Sequence, residues 1–171
     1  MLRELLRRRA DEIADRWLED TLAAYPARTA AAWRRERDPF ANPVGHGLRE
    51  GTRALVDWLL NGADAESVRT ALDRILQVRA VQEQTPGEAV SFVFRLKAVI
   101  RAELGEALED PSLRRELVEL ESRVDSAGLA AFDLYVAHRE RLFELRVAEL
   151  KRSIPWMAGR VEAAAAEGER P

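Results

Sequence analysis

The sequence predicts an all-α domain of five to six helices that ends in one long C-terminal helix. Three observations carry this expectation. Apolar residues recur at steps of three and four through most of the 171 residues, the spacing of one helix face. No stretch alternates convincingly at the period of a strand. Helix ends are also written out: Thr85-Pro86 followed by Glu88 reads as a capping box with proline at the first helical position, and Asn61-Gly62 reads as a left-handed stop.

The first helix is expected over residues 2–24, with Leu6, Ala10, Ile13, Ala14, Trp17 and Thr21 on one face and Tyr25-Pro26 as its stop. Arg7, Arg8 and Arg9 are followed within two turns by Asp11, Glu12 and Asp15, so a solvated, ion-paired face is expected rather than an anion-binding one. Ala27 to Arg37 suits a short helix carrying Trp33. Asp38 to Gly47 holds two X-Pro steps and two glycines, which specifies an irregular connection. Phe40 and Val44 are its expected anchors in the core. His46 is expected to make a turn or capping hydrogen bond, the alternative being a ligand-binding loop. Val44 to Leu60 then forms a helix through Leu48, Thr52, Leu55, Val56 and Leu59.

The helix over residues 65–83 carries Val68, Leu72, Ile75, Arg79 and Gln82 on one face. Two polar side chains thus continue an apolar stripe up to the Thr85 cap. Either the helix end emerges into water there, or they point into the fold. If Arg79 is buried it needs a partner, for which Asp125 and Asp133 on the last helix are the candidates, so Arg79, Gln82, Asp125 and Asp133 form a candidate internal polar or interaction site. The helix over residues 86–108 has apolar residues on more than one side, among them Ala89, Val90, Phe92, Val93, Phe94 and Leu96, and belongs at the centre of the domain. The last helix is expected from Leu113 to Ile154, broken at Pro155. The domain is therefore placed at residues 1–155, with 156–171 as a disordered tail.

Composition limits function. Net charge is −3, with basic residues interleaved among acidic ones, so nucleic acid is not an expected partner. The chain has no cysteine, which removes disulfides, thiolate metal sites and cysteine nucleophiles. No apolar run reaches the roughly 18 residues of a membrane span, and the charged N-terminus lacks a signal-peptide core, so a cytoplasmic protein without membrane insertion is expected. Gly-rich phosphate loops, nucleophile elbows and His-Glu-x-x-His helices are missing. Only two histidines are present. His138, the one helical candidate for a haem ligand, stands beside Arg139-Glu140-Arg141, so haem ligation is not expected. No catalytic residue, metal site or cofactor is assigned, and the chain is not expected to be an enzyme.

Four motifs in order, Asp38-Pro-Phe-Ala-Asn-Pro-Val-Gly45, Arg79-Ala-Val-Gln82, Thr85-Pro-x-x-Ala89-Val90 with Phe92 to Lys97, and Asp125 with Phe132-Asp-x-Tyr135 and Arg139, resemble the RsbRD N-terminal domain. This is the sensor-like domain of RsbT co-antagonists, related to the amino-terminal part of the stressosome protein RsbR. The resemblance covers roughly residues 5–152. It implies a globin-like helical domain without haem, dimeric, acting as an input or interaction module through an unidentified protein partner. Full co-antagonists also carry a C-terminal STAS domain, for which no residues remain before Pro171, so kinase antagonism is not expected to carry over. Similar free-standing domains are encoded near genes for sulfite-reduction electron transfer. The alternative function is therefore a small-ligand or cofactor carrier, accessory to such a redox complex.

The long last helix also implies a homodimer. Leu129, Phe132, Val136, Phe143, Val147, Leu150 and Ile154 repeat on one side of it, and so large an apolar face is uncommon on a soluble monomer. Phe132, Val136, Phe143, Val147 and Leu150 are the candidate interface.

Overall fold

A computed structural model describes residues 1–62, 65–82 and 84–168, with side chains described as far as Ser153. The described residues form seven α-helices: α1 Leu2–Arg7, α2 Ala10–Leu22, α3 Ala27–Arg35, α4 Pro43–Asn61, α5 Ala65–Ala80, α6 Pro86–Leu104 and α7 Pro111–Gly168. A 3-10 turn, Gly105–Glu109, joins the last two. The all-α architecture with a long C-terminal helix is as expected. One helix more than anticipated arises because the first breaks at Arg8-Arg9, where the Arg9 N–H donates to the Leu6 carbonyl at 3.0 Å. The break frees the arginines to tie α1 and α2 to distant elements. Arg7 donates to the Leu60 carbonyl at 3.1 Å, and Arg9 and Arg16 both pair with the enclosed Glu103 carboxylate at 2.6 and 2.9 Å.

The capping box forms as expected. The Thr85 hydroxyl accepts from the Glu88 N–H, and the Glu88 carboxylate accepts from the Thr85 N–H at 2.8 Å. These bonds hold the Glu88 carboxyl below its usual range. Gly62 closes α4 at φ +72°, a conformation that glycine takes without the Cβ penalty.

The connection after α3 is fixed differently from expectation. Phe40 is 96% exposed and anchors nothing. The buried Asn42 does that work: its side-chain oxygen caps α4 by accepting from the Gly45 N–H at 2.9 Å, while its amide donates to the Trp33 and Glu36 carbonyls. Val44 does pack against the core, half-buried.

α6 packs on α2, α5 and α7, and α4 pairs with α5 and α2. Gly128 lets α6 and α7 close up, since a side chain there would run into the ring of Phe94. α7 does not stop at Pro155. Its 58 residues give about 87 Å of helix at ~1.5 Å per residue, against roughly 40 Å for the diameter of a domain this size. The helix therefore protrudes. Of the tail expected over 156–171, residues 156–168 belong to this helix, and 169–171 lie outside the described residues.

Candidate functional site

The stripe of Val68, Leu72 and Ile75 turns Arg79 inward on the last turn of α5, and Arg79 is 2% exposed. Of the two readings of this position, the side chain points into the fold. Its partners are aromatic. The guanidinium carbon lies 4.6 Å from the centre of the Phe92 ring and 5.2 Å from that of Tyr25, within cation–π range of both. Nη1 donates to the Ala89 carbonyl at 3.1 Å. Nε and Nη2 have no hydrogen-bond partner among the described residues. Burial pulls the Arg79 pKa below its usual value, with Tyr25 opposing that shift. Burial likewise raises the Tyr25 phenol, and the Arg79 cation offsets part of it. Behind Phe92, Trp17 stacks on the ring at 5.9 Å and donates its indole N–H to the Phe92 carbonyl at 2.7 Å.

The same junction is clamped from the other side by little more than one turn of α7. The Tyr135 hydroxyl donates to the Gln84 carbonyl at 2.8 Å, His138 meets Asp73 at 2.9 Å, and Arg139 donates to the Ala80 carbonyl at 3.1 Å. Motifs far apart in sequence, at Arg79, Thr85, Tyr135 and Arg139, thus converge where α5 hands over to α6. The clamp sits where α7 begins to leave the domain.

The four residues of the expected polar site are not brought together. Asp125 pairs with Lys97 at 2.5 Å, and Asp133 is exposed. Neither partners Arg79, because the face of α7 that meets the junction is set by Leu134, Tyr135 and His138. Gln82 lies half-buried just past the end of α5, its N–H bound to the Arg79 carbonyl at 3.1 Å. Tyr25 and Phe92 were missed as partners. Tyr25 signals only a helix stop before Pro26, and Phe92 is one apolar residue among many in α6.

Beside Tyr25 lies a cavity of about 240 Å³ walled by Pro43, Val44, Ile75 and Val78, with His46 and Arg74 as its polar groups. His46 borders this concavity, and the turn is capped by Asn42, not by the His46 ring, which makes no hydrogen bond among the described residues.

On α7 the candidate interface is open to solvent. Phe143 and Leu150 are 68% and 61% exposed, Phe132 is also exposed, and Val136 and Val147 are half-buried. Steps of four, seven, four and three residues keep all five on one stripe. Among the described residues no helix is long and apolar enough to cross a membrane, and no group of three or more His, Asp or Glu side chains is placed to hold a metal ion.

No curated protein and no solved structure matches the chain. A family model described as the RsbT co-antagonist protein rsbRD N-terminal domain matches residues 11–150, a span that begins in α2, contains the Arg79 junction and its clamp, and ends within the exposed stripe of α7. The chain belongs to the RsbRD N-terminal domain family, a family of stressosome-type signalling sensor domains.

Proposed function

We propose that this chain is a non-enzymatic regulatory module of the cytoplasm that acts through protein contacts, the first of them a homodimer made along α7. The observation that carries the reading is the protruding helix with its exposed stripe of Phe132, Val136, Phe143, Val147 and Leu150. Leaving such a stripe in water costs free energy that a matching stripe recovers, and a two-fold axis presents the same stripe to itself. The clamp at Tyr135, His138 and Arg139 gives the dimer something to report, because it ties the protruding helix to the Arg79 junction. Light scattering during size-exclusion chromatography is expected to give twice the 19.3 kDa chain mass, and Phe143→Glu is expected to give the monomer. A wild-type monomer at micromolar concentration contradicts the proposal.

The cavity beside Tyr25 favours a second reading, in which a small ligand is the input. Its walls are mostly apolar and its polar groups few, the usual composition of a ligand site. Tyr25 links it to Arg79 and so to the clamp. Native mass spectrometry of freshly purified protein tests this reading through a retained mass that is lost when Val44→Trp fills the cavity.

A further inference from the structure

A second concavity, of about 240 Å³, opens between α2, α3 and α4. Its floor is apolar, from Leu18 and Leu22. Four guanidinium groups surround it, from Arg34, Arg37, Arg49 and Arg53. They come from the end of α3, the segment after it, and the first three turns of α4, which sequence spacing alone does not bring together. Two carboxylates stand among them. Glu19 pairs with Arg34 at 2.7 Å, and Asp15 reaches Arg53 at 3.7 Å. Four cations less two carboxylates leaves two positive charges, those of Arg37 and Arg49, without a carboxylate partner among the described residues.

Arg49 is held in place. Its Nη2 donates to the Trp33, Arg34 and Glu36 carbonyls, the last turn of α3 and its cap, where a cation is favoured by the helix dipole. One edge of its guanidinium is thus fixed. Burial lowers the Arg49 pKa, and the like charges of Arg37 and Arg53 lower it further. Holding like charges this close is unfavourable unless an anion sits among them.

We propose that this concavity is an oxyanion site for a small ligand of the phosphate class that carries two or more negative charges. Preset arginine forks match phosphate oxygens in geometry and charge, and the excess of two positive charges favours a multiply charged anion over a singly charged one. The space above Leu18 and Leu22 leaves room for a compact group attached to the phosphate. The site is independent of the α7 interface, and its failure would leave that reading intact.

The full chain is titrated by calorimetry with inorganic phosphate, pyrophosphate and ADP, with sodium chloride at matched ionic strength as the control. Thermal melts run alongside. Saturable binding is expected for pyrophosphate or ADP, with a raised melting midpoint that chloride does not reproduce. Tighter binding of ADP than of pyrophosphate identifies a nucleotide-like ligand, and the reverse identifies the bare oxyanion. Arg37→Glu, which leaves the Arg49 bonds to α3 in place, is expected to weaken binding by about tenfold or more, the loss of one charge-assisted contact. Because that variant changes only an exposed side chain and relieves the like charge beside Arg49, its melt without ligand is expected to be no lower than that of wild type. Arg53→Glu serves as a second variant should it not. Heats no larger than those of chloride, or wild-type affinity in both variants, would overturn the site. So would a poly-glutamate peptide that binds saturably where pyrophosphate does not.

Discussion

Trp17→Ala is expected to cost about 3–5 kcal/mol of folding stability, the range for emptying a fully enclosed aromatic site. Trp17 is 0% exposed. It joins α2 to α6 through both the stacked Phe92 ring and the 2.7 Å bond from its indole nitrogen to the Phe92 carbonyl. Against a total stability of roughly 5–15 kcal/mol, that is a large fraction of what holds the fold. Trp17→Phe separates the two contributions. It keeps a ring on Phe92 and loses the N–H bond, so the cost should be nearer about 1–3 kcal/mol. Urea melts read both. An alanine variant that loses less than about 1 kcal/mol would mean that α2 and α6 do not meet through this residue.

Arg79 is expected to behave as a buried cation held by rings rather than by a carboxylate. Arg79→Ala should lose about 2–4 kcal/mol, through the cavity and the lost contacts with Tyr25 and Phe92. Arg79→Met keeps most of the volume and removes a desolvated charge, and such exchanges are often neutral or stabilising. The methionine variant should therefore lie within about 1 kcal/mol of wild type. A loss of about 3–5 kcal/mol on Arg79→Met would instead indicate a buried ion pair broken on one side. The contrast between the two substitutions bears on function as well. A position where methionine folds as well as arginine, and where arginine is nevertheless present, holds its charge for something other than stability.

The sequence shows helix positions well and long-range partners poorly. The Thr85–Glu88 box and the Gly62 stop follow from spacing, because each is decided within one or two turns of chain, whereas spacing put Arg79 on the apolar face of α5 and left open whether it turned inward. What meets Arg79 is decided by how α5 crosses α2 and α6, so Tyr25 and Phe92 could not be told from any other stop or core residue. Asp125 was a plausible partner by charge alone, but Lys97 is nearer across the α6–α7 contact. Phe40 was expected inside because it is large and apolar. The loop is instead fixed by the Asn42 side chain, which supplies three hydrogen bonds where Phe40 would supply area. Proline in a helix interior removes one backbone bond and costs about 3 kcal/mol, a local rule that placed the end of the last helix too early. The arginine concavity was invisible for the same reason as the Arg79 rings: its members are neighbours only once α2, α3 and α4 have packed.

The protruding half of α7 offers the most direct test of the proposed interface. A helix that leaves its domain with one face in water opens easily, because little tertiary packing supports its backbone bonds. Amide hydrogen exchange over residues 143–153 should therefore depend on association. Slow exchange is expected at high protein concentration, becoming fast on dilution and fast at all concentrations in Phe143→Glu, while amides of α6 stay protected throughout. Rapid exchange of 143–153 in the wild-type protein at every concentration would contradict the account, since the stripe of Phe143, Val147 and Leu150 would then have no partner copy to cover it.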